Sequence, residues 1–157
     1  MEKTFKIKGR ITVREPNDSS FVWYVNETNT IKWYTDGHVN NVSVKVNCDG
    51  VIYNVTNDTQ SGPGGSGIGN SSINWNIPAN IKSDACNVNV TSVLDLNVSD
   101  ESDATFSVRP KIIVNSPTQS QELHVLTNYP NLVTWTINGT RINHVDVLYD
   151  TNNGSDG

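Results

Sequence analysis

The sequence lacks the features on which several common functions depend. Its 157 residues carry a net charge of −5, only 17% are charged, and lysine and arginine form no cluster. It therefore has no basic surface with which to hold nucleic acid by charge. No apolar run approaches the roughly 20 residues of a membrane-spanning helix. The polar opening, Met1-Glu2-Lys3-Thr4, is not a cleavable secretory signal. We expect no nucleic acid partner and no membrane span in this chain.

Residues that favour helices are also scarce, since the chain has one methionine and few alanines or leucines. In their place stand 22 asparagines, 30 serines and threonines taken together, and many valines, isoleucines and aromatic residues. Side chains that are β-branched or aromatic fit the pleated, half-buried surface of a sheet. The composition therefore predicts an all-β protein.

Alternation of apolar and polar residues locates about seven strands between residues 10 and 109. Turn signals such as Asp36-Gly37 and Asp49-Gly50 separate them. Seven strands in about 100 residues are typical of an immunoglobulin-like β-sandwich. The apolar positions are Ile11 and Val13; Ile31 and Trp33; Val42, Val44, Val46 and Cys48; Val51, Tyr53 and Val55; Ile73, Trp75 and Ile77; Cys86, Val88 and Val90; and Phe106 and Val108.

The chain also repeats itself, with an offset of 101 residues. Residues 5–16 align without a gap with residues 106–117. After one inserted residue, Thr30-Ile31-Lys32-Trp33 aligns with Leu132-Val133-Thr134-Trp135. A period of this length matches one small β-sandwich.

The repeat predicts three parts. Residues 1–9 would be the terminal strand of a preceding repeat, 10–109 a complete sandwich, and 110–157 the first half of a second repeat. We call 10–109 the first repeat and 110–157 the second repeat. This division predicts an excerpt of a longer tandem array, whose partners are neighbouring repeats or copies of the chain itself.

Cysteine is limited to Cys48 and Cys86, on apolar phases at the end of the third predicted strand and the start of the sixth. In an immunoglobulin-like sandwich these strands are antiparallel neighbours, so the two side chains would meet. A disulfide is favoured in an extracellular β domain. Two buried free thiols are the alternative.

Asn-x-Ser/Thr triplets occur ten times, whereas random placement of the same residues would give about four. This excess predicts a glycosylated, secreted surface. The alternative is that asparagine and threonine simply cover the solvent faces of strands. The candidate glycosylation sites are Asn17, Asn26, Asn41, Asn54, Asn57, Asn70, Asn89, Asn97, Asn138 and Asn153.

Four motifs in a fixed order resemble a known family: Ile11 to Pro16, Thr30 to Trp33, Ser72 to Pro78 and Asp103 to Val108. Together they resemble the Ser/Thr-rich GPI-anchored membrane family, whose domain also begins yeast cell-wall β-1,6-glucan assembly proteins. The resemblance covers the complete first repeat and the first half of the next one. It implies an extracellular immunoglobulin-like module, often repeated in surface proteins, with no catalytic residues.

Two kinds of ligand site remain open in the sequence. Trp23 and Tyr24 lie in a less periodic stretch, and an exposed ring there could stack on a sugar. The other tryptophans, Trp33, Trp75 and Trp135, fall on apolar phases and are predicted to be core residues.

Calcium is the second possible ligand, and no other cofactor is expected. Residues 150–157 alternate oxygen-bearing side chains before a glycine, although they lack the distal glutamate of a calcium loop. A second acidic cluster offers carboxylates for calcium or for a glycosidase pair. The candidates are Asp150, Asn152 and Asp156 in the first group, and Asp95, Asp100, Glu101 and Asp103 in the second.

The leading functional hypothesis is a non-enzymatic repeat module that serves as a spacer or adhesive element of an extracellular, cell-surface or cell-wall protein. The short connection between the repeats predicts that neighbouring sandwiches are held stiffly. Two alternatives stay open: a carbohydrate-binding accessory module of a secreted protein that binds cell-surface polysaccharide, and a subunit of an extracellular filament assembled through exposed strand edges.

Overall fold

The computed structural model describes residues 7–118 and 133–148. These residues form an all-β fold, as predicted, with one short 3-10 turn at Pro63–Gly65 and no α-helix in the described ranges. The strands are β1 Arg10–Glu15, β2 Val22–Tyr24, β3 Thr28–Asp36, β4 Asn41–Cys48, β5 Val51–Gln60, β6 Gly69–Asn76, β7 Ser83–Ser92, β8 Ser99–Glu101, β9 Phe106–Arg109, β10 Lys111–Ser116 and β11 Thr134–Asn138.

Two sheets make the sandwich of the first repeat. A three-stranded sheet has the order β1-β3-β6, with antiparallel pairing throughout. The facing sheet has the order β2-β9-β7-β4-β5, with β8 also paired to β7. Its strands are antiparallel except for β2, which lies parallel to β9. The two inner faces supply the core, because alternate side chains of a strand point to the same face.

The core follows the alternation of the sequence closely. Trp33 is 1% exposed, and its indole nitrogen donates a hydrogen bond of 2.9 Å to the buried hydroxyl of Ser61. Thr35 and Ser71 lie within hydrogen-bond distance of the same hydroxyl, so these buried hydroxyl groups are paired. Nδ2 of Asn29, on the same phase of β3, is buried without a hydrogen-bond partner among the described residues. The predicted inward residues on the first, second, third, sixth and seventh strands are all buried: Ile11, Val13, Ile31, Trp33, Val42, Val44, Val46, Cys48, Cys86, Val88, Val90, Phe106 and Val108.

The strand count is nine rather than seven between residues 10 and 109, all of which are described. The two additional strands, β2 and β8, have three residues each, which is too short for alternation to reveal them. The predicted short strand around Tyr53 is instead the ten-residue β5, whose side chains are only half-buried or exposed.

The second repeat begins with an antiparallel pair of strands, β10 and β11, whose register reproduces that of β1 and β3. Val13 pairs with Trp33 between β1 and β3, and Val114 pairs with Trp135 between β10 and β11. Both pairs of strands then shift register by one residue at the following position. Trp135 nevertheless is 37% exposed, and with Val114, Val145 and Leu148 it lines an open cavity instead of a closed core. The prediction that Trp135 is a core residue is therefore wrong for the described structure.

Candidate functional site: the junction between the repeats

The two repeats are joined by one residue. β9 ends at Arg109, β10 begins at Lys111, and only Pro110 lies between them. The amide of Val25 donates to the carbonyl of Arg109 at 3.1 Å, which extends the β2–β9 pairing to the last residue before the proline. The connection therefore has no flexible linker, as the repeat alignment predicted.

A cation from the second repeat lies against the first. The Lys111 ammonium is 3.4 Å from a carboxylate oxygen of Glu27 and 5.0 Å from the centre of the Tyr24 ring. Both charged side chains are about two-fifths exposed, at 41% and 42%. An ion pair this exposed stabilises by only about 0–1 kcal/mol. This ion pair favours one orientation of the second repeat but supplies little of the free energy that holds the two repeats together.

Gly139, at the end of β11, makes the closest approach across the junction. A Cβ placed on Gly139 would lie 2.7 Å from Cγ2 of Val25 and 2.8 Å from Cβ of Pro110. Its φ of +111° lies where side chains are disfavoured. Only glycine therefore allows β11 to lie this close to the core of the first repeat.

The next two residues bond to the turn between β6 and β7. The amide of Thr140 donates to the carbonyl of Ala79 at 2.9 Å, and Nε of Arg141 donates to the carbonyl of Asn80 at 3.2 Å. Each such bond contributes about 0.5–1.5 kcal/mol net, and somewhat more where the donor is charged. We define the junction by Tyr24, Val25, Glu27, Ala79, Asn80, Pro110, Lys111, Gly139, Thr140 and Arg141.

The first repeat shows a related arrangement at its own opening. In the repeat alignment Gly9 corresponds to Pro110, and Gly37 corresponds to Gly139. A Cβ on Gly9 would lie 2.2 Å from the carbonyl oxygen of Gly37. The same two positions are therefore in contact at the start of both repeats. The paired glycines at equivalent positions were visible in the sequence and could have indicated the junction.

The sugar-stacking candidates turn out to have different surroundings. Trp23 is 7% exposed and packs in the core, with its ring 4.8 Å from that of Phe106 and 6.1 Å from that of Trp75. The prediction that Trp23 offers a ring to a sugar is wrong, because neighbouring core rings occupy its surroundings. Tyr24 points the other way on β2, is half-buried, and lies under Lys111 in the junction.

The two cysteines meet as predicted. Cys48 and Cys86 face each other in the register of β4 and β7, with Cα atoms 4.1 Å apart, and form a disulfide. The bond closes a separation of 38 residues between the middle strands of the larger sheet. Both side chains are buried at the edge of the core.

The acidic cluster does not converge on one point. Asp95 pairs with Lys8 at 2.8 Å, Asp100 accepts a hydrogen bond from the amide of Val13 at 2.7 Å, and Asp103 bonds to Asn17. Within 7–118 and 133–148, no three His, Cys, Asp or Glu residues are grouped so as to hold a metal ion. The other calcium candidates, Asp150, Asn152 and Asp156, lie outside the described residues, as does the candidate glycosylation site Asn153.

The remaining candidate glycosylation sites divide into three groups by the hydrogen bonds and the exposure of the asparagine side chain. In Asn17, Asn41 and Asn97 the Nδ2 atom donates to a neighbouring aspartate. The side chains of Asn89 and Asn138 are half-buried, and Oδ1 of Asn89 accepts a bond from Thr91. The exposed asparagines without such a bond to a described residue are Asn26, Asn54, Asn57 and Asn70.

A carboxylate next to the junction has a perturbed pKa. The Arg109 side chain, followed by the hydroxyl of Ser107, holds the pKa of Asp84 below its ordinary value. The hydrogen bond from Nε of Arg109 to Asp84 is 3.0 Å long. Because the folded pKa is lowered, the stabilisation is present above the ordinary aspartate pKa of about 3.9 and is lost as pH falls through the folded value.

Removing the guanidinium is expected to reverse this shift. In Arg109→Gln, the pKa of Asp84 should rise towards its ordinary value, which a carboxyl-carbon NMR titration measures directly. Asp18, whose pKa is lowered by Ser20 instead, is the internal control and should not change. An unchanged Asp84 would contradict the assignment of the shift to Arg109.

Comparison with known proteins finds no match among family models or among curated proteins. Within the described ranges, the structure contains no helix with the length and apolar character needed to cross a membrane.

Proposed function

We propose that this chain is a non-enzymatic, extracellular repeat module that acts as a stiff spacer in a cell-surface or cell-wall protein. The junction carries the proposal. One proline separates the repeats, and contacts from Lys111 and from residues 139–141 hold the second repeat against β2, the β2–β3 connection and the β6–β7 turn of the first. A spacer transmits position only if its units do not pivot, and these contacts oppose pivoting.

The proposed location has separate support. A disulfide between Cys48 and Cys86 persists in oxidising environments such as the cell exterior. The ten Asn-x-Ser/Thr triplets and the resemblance to a family of surface modules favour the same location. Antibodies against this chain are expected to label intact cells of the source organism without permeabilisation.

Backbone ¹⁵N relaxation tests the stiffness of the full chain. We expect the amides of β4, in the first repeat, and of β11, in the second, to report one shared rotational correlation time. The reason is that the junction makes the two repeats tumble together. Independent, faster tumbling of β11, with its pairing to β10 intact, would overturn the proposal of a stiff spacer. Loss of dispersed amide shifts from β10 and β11 would overturn the proposal too, since two unfolded strands cannot hold one repeat in a fixed orientation against another.

Substitution of Gly139 tests the contact between the repeats most directly. Gly139→Ala is expected to separate the tumbling of β11 from that of β4, because the new methyl group would overlap Val25 and Pro110. Gly50→Ala is the matched control: its φ is also positive, at +86°, but its Cβ would meet nothing within 4 Å. A four-residue Gly-Ser insertion between Arg109 and Pro110 should have the same effect as Gly139→Ala while leaving the contact residues unchanged.

One observation supports a second candidate function, a filament subunit. The apolar face of β10 and β11 is exposed in the described structure, with Val114 at 61% and Trp135 at 37%. In the first repeat the equivalent face is covered by a second sheet. Further copies of this chain could cover it in the second. Sedimentation velocity of the chain from its native source, over a range of concentrations, distinguishes the two functions, since a spacer stays monomeric and a filament subunit does not.

A further inference from the structure

We infer that Asn54, Asn57 and Asn70 are positions for N-linked glycans that cover the two open sheet edges of the first repeat, with at least one glycan on the closely spaced pair Asn54 and Asn57. The inference rests on the proposed extracellular location. It assigns a specific role to three of the ten candidate sites.

The two open edges lie on the same side of the sandwich. β5 ends the six-stranded sheet and pairs only with β4, and β6 ends the three-stranded sheet and pairs only with β3. The Tyr53 ring on β5 lies 6.3 Å from the Trp75 ring on β6, which places these strands opposite each other. Each strand therefore has one edge on which no other described strand pairs, and a strand of another chain could pair there.

This side of the sandwich has few of the devices that usually prevent such pairing. Edge strands are ordinarily protected by charged side chains, prolines, bulges or shortness. β5 is ten residues long, carries the single charge of Asp58 and has an irregular register opposite Val44. β6 has eight residues and neither a charge nor a proline. Exposed apolar side chains add to the hazard, with Val51 at 55% and Ile52 at 61%.

The opposite side of the sandwich is protected by protein groups alone. β1 has three charged residues among its six, and its Val13 amide already donates to Asp100. β2, the other edge, has only three residues. The candidate site nearest to β1 is Asn17, whose side-chain amide bonds to Asp103 and whose oxygen accepts from the Asp103 amide. Three of the four free candidate sites, Asn54, Asn57 and Asn70, therefore lie on the strands of the unprotected edges, and the fourth, Asn26, follows β2.

The three asparagines can also accept a glycan without loss of a contact. Their side chains are exposed, and no hydrogen bond joins them to a described residue. A glycan replaces one hydrogen on Nδ2, so an amide that donates to an aspartate, as in Asn97, would have to give up or rearrange that bond. Glycans at Asn54, Asn57 and Asn70 would stand beside the open edges, where their bulk excludes a second strand.

Peptide mass spectrometry of the protein from its native source tests occupancy. Deglycosylation in heavy-oxygen water marks each occupied asparagine, and we expect marks at Asn70 and at one or both of Asn54 and Asn57. Unmarked asparagines at all three positions would overturn the inference. Surface labelling of intact cells by antibody tests the location separately, so a failed inference and a failed location can be told apart.

The protective role is tested in a eukaryotic secretion host. The triple variant Asn54→Gln, Asn57→Gln and Asn70→Gln should shift from monomer to larger species in light scattering at concentrations where the glycosylated chain is monomeric. The control Ser99→Ala removes the site at Asn97, in a turn away from both edges, and should leave the chain monomeric.

Production in a bacterium without N-glycosylation separates the glycan from the side chain. There the parent chain and the triple variant should associate to the same extent, because neither carries glycans. Association of the variant alone in the bacterium would assign the effect to the asparagines themselves and overturn the role of the glycan. Equal monomer content of parent and variant from the eukaryotic host would overturn it as well.

Discussion

Replacing both cysteines, as Cys48→Ala with Cys86→Ala, is expected to lower the free energy of unfolding by about 3–4 kcal/mol. The bond closes a separation of 38 residues, and loss of that closure frees the unfolded chain to adopt many more conformations. The disulfide joins β4 to β7, two inner strands of the larger sheet, so its removal leaves the edge strands of that sheet unchanged. Urea unfolding followed by far-ultraviolet circular dichroism measures the change.

The reduced parent chain is the control for this variant. Dithiothreitol should lower its stability by a similar amount, because it breaks the same bond while keeping both sulfur atoms in the core. If the alanine variant is much less stable than the reduced chain, packing rather than loop closure dominates. If neither treatment changes the urea midpoint, the disulfide is not formed in solution.

Trp33→Ala is expected to destabilise the first repeat by about 3–5 kcal/mol, the range for removing a large aromatic side chain from a packed core. Trp33 is 1% exposed, and its removal would leave a cavity between the two sheets. Trp33→Phe keeps most of the apolar surface but loses the bond to Ser61, and should cost less, about 1–2 kcal/mol for the hydrogen bond alone. The same urea titration measures both.

Trp135→Ala is the matched variant in the second repeat. Trp33 and Trp135 hold equivalent places, paired with Val13 and Val114 in the same register. Because Trp135 is 37% exposed and lines an open cavity, its loss should lower the free energy of unfolding by only about 1–2 kcal/mol, less than the loss of Trp33. A cost close to that of Trp33→Ala would show that its face is covered in solution, and would favour assembly over an isolated spacer.

The inward residues of most strands could be predicted from alternation alone. Val42, Val44 and Val46 on β4, and Val88 and Val90 on β7, are all buried as expected. The reason is that side chains along a strand alternate between two faces, so one buried face requires apolar residues at every second position. The same phase argument predicts that Cys48 lies opposite Cys86, which the register of β4 and β7 confirms.

Short elements and spatial neighbours could not be predicted in this way. β2 has three residues and pairs in parallel with β9, which is more than 80 residues away along the chain. Its position decides that Trp23 points into the core and Tyr24 points towards Lys111. Residues 21–25 are all apolar or aromatic, so their local pattern does not show whether Trp23 or Tyr24 faces the other sheet.

The sequence by itself determined that this protein is all-β, that segments 101 residues apart resemble each other, and that its two cysteines fall on facing phases. These properties follow from composition and periodicity, which are local. Only the tertiary structure decided which of two equivalent tryptophans is buried, which asparagine amides are free, and that Gly139 lies against Val25. Each of these depends on what lies across space from a residue, and burial and contact arise only when distant segments pack together.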